Sequence, residues 1–130
     1  MSDIKKLTVT DLLKDKEKYQ VKDDVTDDLL INRLGMSITI RKPERSLCLE
    51  SYQMGQDPKL TDKADEYLVY NIVVEPNLKD AQLQKAYGCV EPMDIVHKIF
   101  EPGEITSIAQ SGLDLAGYAQ RLSSVKDLKN

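Results

Sequence analysis

The sequence predicts an α+β fold, mostly α, in which about five or six short helices pack with a small β-hairpin or sheet near residues 29–41. Three observations carry this. Met36-Ser37-Ile38-Thr39-Ile40-Arg41 is the one clean period-2 run, with Met36, Ile38 and Ile40 on one face and Ser37, Thr39 and Arg41 on the other. Several other stretches repeat apolar residues at the three-and-four spacing of a helix. From Glu75 to Tyr118, Pro and Gly stand where short helices start and stop. Pro suits a first turn, where its missing N–H has no partner to lose, and Gly suits the position after a last turn, where φ turns positive.

The 130 residues suffice for one domain with its own core. Residues 29–118 are its expected core, residues 7–20 a peripheral N-terminal segment and residues 119–130 a frayed or extended tail. A net charge of −4 without a basic stripe argues against nucleic acid. No run approaches the roughly 18 apolar residues that span a bilayer. Met1-Ser2-Asp3-Ile4-Lys5-Lys6 has no apolar run behind its charges, so no secretory signal is expected, and the expected location is the cytosol.

In chain order, residues 7–20 carry one narrow apolar stripe (Leu7, Val9, Leu12, Leu13) among charges, with Thr10 as a helix cap. Asp23, Asp24, Asp27 and Asp28 lack the alternate spacing, central Gly and closing Glu of a calcium loop, and are expected to form a solvated acidic loop. Leu29-Leu30-Ile31, the turn Asn32-Arg33-Leu34-Gly35 and the Met36 run make the hairpin. Pro43-Glu44-Arg45 opens a helix with Leu47, Cys48, Tyr52 and Met54 inward, and Gly55 to Pro58 ends it. Thr61 or Asp62 caps a helix running through Asp65 to Val74, apolar almost all round from Tyr67, until Pro76 stops it. Such a helix lies between layers or meets a partner. Helices follow over 80–87, 92–100 and 104–116, the last with Ile105, Ile108, Ala109, Gly112 and Leu113 on one face.

Little here suggests chemistry. His97 is the only histidine, and no Gly-rich strand-to-helix turn presents a Ser or Cys nucleophile for it to activate. Cys48 and Cys89 have no Cys or His at metal-ligand spacing and read as reduced, partly buried small hydrophobes. Pro102-Gly103-Glu104 lacks the further glycines and the Lys of a phosphate loop. The expectation is a chain that is not an enzyme and holds neither metal nor cofactor.

The run Val74-Glu75-Pro76-Asn77-Leu78-Lys79-Asp80, with Leu83, Lys85, Tyr87-Gly88, Pro92, Phe100-Glu101-Pro102-Gly103-Glu104-Ile105 and Leu115-Ala116-Gly117-Tyr118, resembles the XkdN-like phage tail assembly chaperones. Arg33-Leu34-Gly35 leading into Met36–Ile40 is similar to the strand that follows an Arg-Leu-Gly turn in that family, so the likeness spans about residues 29–118. These are small proteins of contractile-tailed phages, PBSX-like defective prophages and tail-like particles of Gram-positive bacteria. The resemblance implies a protein that binds the long, helical, aggregation-prone tape measure protein and keeps it soluble during tail morphogenesis. It also implies work in the host cytoplasm, absence from the mature particle, and the tail tube protein and a frameshifted longer product as further partners. A structural or interaction protein of a phage tail is the alternative reading.

The residues themselves suggest where a partner would bind. Tyr favours surfaces that are apolar at one end and wet at the other. Tyr67 and Tyr70 on the apolar helix, and Ile95, Ile99 and Phe100 on a later one, are the expected surface for a partner or for self-association.

Overall fold

The computed structural model describes residues 3–120 and 122–128. Residues 24–120 form one compact unit, and the described parts of 1–23 and 121–130 form a second.

The second unit holds α1 (Val9–Lys14), α2 (Lys16–Tyr19) and α8 (Val125–Leu128), with no buried residue in any of the three. Thr8, two residues before the expected Thr10, caps α1. Its Oγ1 accepts the Asp11 N–H at 3.1 Å while Asp11 Oδ2 accepts the Thr8 N–H at 3.0 Å, a reciprocal box that Thr10 has no acid at the right offset to make. Asp15 ends α1 and caps α2, so one expected helical segment becomes two. The tail contains the single turn of α8, and positions 121, 129 and 130 of the expected tail lie outside the described residues.

The 24–120 unit is an antiparallel sheet of order β1-β2-β3 packed against helices, the mostly helical α+β class that the sequence predicts. β1 (Thr26–Ile31) and β2 (Met36–Arg41) form the expected hairpin, with Leu29 opposite Ile38 and Ile31 opposite Met36. The strand begins earlier than the sequence suggests. Asp27 and Asp28 belong to β1, because the Thr39 hydroxyl donates to Asp28 Oδ1 at 2.6 Å across the outer face. Charge on a free edge strand also discourages chain-to-chain pairing.

α3 (Arg45–Gln56) follows, then a 3₁₀ turn (Thr61–Lys63) leading into α4 (Ala64–Ile72). Here the structure corrects two expectations. Helix α4 stops at Ile72, and Val73–Glu75 becomes β3, pairing Val73 with Ile40 and Glu75 with Thr39. Two β-branched residues fit a strand better than a last turn, and the residue before Pro76 is biased towards extended backbone. On α3, Ser51 faces inward and Tyr52 outward. Leu47, Cys48 and Ser51 share the buried stripe, and the Ser51 hydroxyl is satisfied by Ala64 O at 3.2 Å.

α5 (Ala81–Ala86), α6 (Asp94–Ile99) and α7 (Pro102–Leu115) complete the unit. Gly88 (φ +67°) and Gly117 (φ +91°) end α5 and α7 as punctuation predicts. Cys89 N–H donates to Gln84 O, and Tyr118 N–H donates to Leu113 O, the wide closing bond of a left-handed helix stop. Pro102 occupies the first turn of α7. Ile105, Ile108, Ala109 and Gly112 are its buried face, and Leu113 packs beside them.

Two arginines of the hairpin hold helix ends. Arg33 Nε and Nη2 donate to the two Glu104 carboxylate oxygens at 3.1 and 3.0 Å, and Nη2 also donates to Ile99 O at 2.9 Å, in the last turn of α6. Arg41 Nε donates to Asn71 O at 3.1 Å, in the last turn of α4. Each places a cation where unpaired carbonyls and the helix dipole concentrate negative charge. Glu104 Oε1 in turn accepts the Glu101 N–H at 2.8 Å, fixing the start of α7.

A Cβ at position 112 would overlap Ile72 Cδ1, which has no solvent to move into. Gly112→Ala should therefore lose stability on balance, overpacking of about 1–3 kcal/mol exceeding a helix-propensity gain of about 1 kcal/mol. In an Ile72→Val background, which lacks that methyl, the same change should be neutral or stabilising. Denaturation of the four proteins tests it, and an equal effect in both backgrounds would contradict the close approach. Separately, the Arg33 guanidinium, with the Glu101 N–H, holds the Glu104 carboxyl below its ordinary value of 4.5. A depressed carboxyl adds stability at neutral pH that is lost as pH falls past 4.5 towards its native value. Melting temperature should fall over that interval, and Glu104→Gln should flatten this part of the profile.

Candidate functional site

Of the residues expected to meet a partner, Ile95 and Phe100 are core, at 0% and 5% exposure, and Ile99 packs half-buried against them. Helix α6 is short, and its buried residues, Ile95 and Val96, turn inward against α4 and α7. A partner reaches these side chains only if the fold opens. Tyr67 and Tyr70 are half-buried, with their polar ends engaged. The Tyr67 hydroxyl donates to Glu50 Oε2 at 3.0 Å, and that bond raises the phenol above its ordinary value. The Tyr70 hydroxyl oxygen accepts from Gln84 Nε2 at 3.4 Å, and Lys79 Nζ stands 5.2 Å from its ring centre. Both form edges of the core whose hydroxyls reach outward.

His97 Nδ1 lies 3.0 Å from Glu66 Oε1 on a half-exposed flank of α6. Among the described residues no group of three or more His, Cys, Asp or Glu could hold a metal ion, and no helix is long and apolar enough to cross a membrane. Cys48 and Cys89 are free thiols, and burial pushes the Cys48 thiol up, away from reactivity.

The open apolar surface lies elsewhere, along the outer side of α3. A groove of about 520 Å³ runs the length of that helix, from Arg45 past Leu49 and Tyr52 to Gly55 and Gln56, closed by Ala64 and Asp65 of α4, Leu113 and Tyr118. Its floor is made of small residues: Cys48, Ser51, Gly55 and Ala64. Its rim is large and apolar, with Leu49 54%, Tyr52 65% and Tyr118 63% exposed. Each part has a local cause. Gly117 turns the chain out of α7, and Tyr118 lines the groove with Cys48 of α3. Tyr52 and Leu49 flank the buried stripe of Leu47, Cys48 and Ser51. Partial burial raises the Asp65 carboxyl above its ordinary value. Among the described residues no hydrogen bond or ion pair engages the side chain of Asp65 or of Arg45.

A second groove, of about 560 Å³, lies between β1 and the start of α7. Glu104 on its wall is already committed to Arg33.

Sequence reasoning missed the α3 groove because it turned Tyr52 inward. The available signal was Leu47-Cys48-Leu49 followed by Tyr52, one apolar residue too many for a single buried stripe on a helix.

The small α+β unit thus carries an open groove, small-floored and large-rimmed, along one helix. Residues 9–129 match the family model described as phage XkdN-like tail assembly chaperone protein, and the chain belongs to that family. No curated protein and no solved structure matches it.

Core and rim should respond differently to truncation. Ile95→Ala should cost about 2–5 kcal/mol of stability, as large-to-small changes in a closed core do. Tyr52→Ala should stay within about 0.5 kcal/mol of the parent, as surface changes do. Urea unfolding of both variants decides it, and a large loss at Tyr52 would place that side chain in the core.

Proposed function

We propose that this chain binds the tape measure protein of a phage tail and keeps it soluble until the tail tube polymerises around it. It acts by binding alone, without catalysis, in the cytoplasm of the bacterial host, and leaves before the particle matures. The observation that carries this reading is membership of the tail assembly chaperone family over nearly the whole chain. The α3 groove supports it: a long helical client exposes apolar stripes before assembly, and a groove with a small-residue floor lets a helix approach closely. The net charge of −4 supports it further, since charge away from zero keeps a loaded chaperone dispersed. The tail tube protein, a frameshifted longer product and further copies of this chain are additional proposed partners.

Co-expression with the tape measure protein from the same gene cluster tests the proposal. The tape measure protein should move from the insoluble to the soluble fraction and co-purify with the chaperone, and purified particles should lack this chain. An insoluble tape measure protein at matched expression would refute client binding, and stoichiometric chain in washed particles would favour a structural tail component.

A further inference from the structure

Arg45 is the first residue of α3, and Gly55 comes ten residues later, about 15 Å along the axis at 1.5 Å per residue. A Cβ at Gly55 would lie 4.0 Å from the Ala64 Cβ, and Asp65 follows Ala64, so the carboxylate stands at the end of the groove opposite the guanidinium. Between them lie the apolar side chains of Leu49 and Tyr52, faced by Leu113 and Tyr118. The groove therefore has an apolar middle, a cation at one end and an anion at the other. Neither charge has a partner among the described residues.

We propose that the α3 groove receives a single amphipathic helix of the client, about three turns long and antiparallel to α3, with a basic N-terminal flank at Asp65 and its C-terminal end at Arg45. This rests on the client-binding reading above and adds the location, the polarity and the chemistry of the bound segment. Charge complementarity selects the occupant. A helix carries positive partial charge at its N-terminus and negative at its C-terminus, so only the antiparallel direction sets each end against an opposite charge. The same direction aligns its dipole favourably with that of α3. An apolar stripe at i, i+3, i+4 and i+7 matches the apolar residues that the groove offers between those ends. The Asp65 carboxylate, its ionised form disfavoured by desolvation, gains a cation on binding.

The test uses the full chain and labelled overlapping peptides spanning the tape measure protein of the same gene cluster, with affinities read by anisotropy. The tightest peptide should carry an apolar helical stripe with Lys or Arg at its N-terminal flank. Leu49→Asp, at an exposed position that leaves the melting temperature unchanged, should weaken it about 30-fold or more, as loss of a central contact does. Asp65→Lys should weaken it about 5-fold, the size of a partly exposed ion pair, and replacing the flanking peptide Lys by Glu should restore the lost affinity. Equal binding by parent and both variants would overturn the groove while leaving the client reading intact. Failure of the parent to bind any peptide or the co-expressed tape measure protein would overturn the client reading itself. A parent dimer that Leu49→Asp converts to monomer, with peptide binding unchanged, would assign the groove to a second copy and overturn the proposal.

Discussion

Leu68, Val69 and Ile72 of α4 have no solvent exposure, and with Ala64 they spread over a broad apolar face that no single neighbour can cover. Each such burial removes apolar surface worth about 1.5–3 kcal/mol, so leaving one side bare would forfeit a large part of the stability of so small a unit. The surrounding elements supply that cover. α3 lies on one side and α7 on another, with α6 and β3 filling the remainder. Gly112 sets the α4–α7 spacing, because only a residue without a side chain leaves room for the Ile72 terminus. The hairpin contributes three buried apolar residues, Ile31, Ile38 and Ile40, and two arginines that reach past the sheet to the last turns of α6 and α4. Arg33 serves three purposes at once, since its Glu104 partner also fixes the start of α7.

Enclosing α4 determines what is left over. α7 gives its apolar face to α4, and α6 turns Ile95 and Val96 into the same core. α3 spends Leu47, Cys48 and Ser51 on it and has apolar residues remaining on the flank. Leu49 and Tyr52 therefore face solvent, and the turn after Gly117 brings Tyr118 beside them. The groove is thus a by-product of packing: its position follows from the core, and the two charges at its ends are what the proposed antiparallel client helix would meet.

The hairpin, the Pro and Gly punctuation of α5 and α7 and the inward face of α7 were legible because each depends on local chemistry: a two-residue alternation, a fixed φ, a positive φ. What escaped was decided by tertiary partners. Val73 and Val74 continue the apolar pattern of α4 in sequence, yet β2 offers them a strand, and periodicity cannot see the strand that recruits them. Asp27 and Asp28 look like loop until Thr39 stands opposite. Which apolar residues stay exposed was the least legible part. Tyr67, Tyr70, Ile95, Ile99 and Phe100 are apolar enough for an interface, but apolarity alone does not tell a buried side chain from an exposed one. Family membership was readable because it rests on the order and spacing of helix signals, which survive without any knowledge of packing.

Under the proposal, client and chaperone meet along α3 while the core around α4 stays closed. Hydrogen–deuterium exchange of the free chain and of its complex with the tape measure protein tests this most directly. The account predicts that new protection is concentrated over residues 45–56 and 113–118, with α4 and α6 exchanging as slowly before binding as after it. Protection appearing along the free edge of β1 instead, or α6 opening on binding so that Ile95 and Phe100 meet the client, would contradict it.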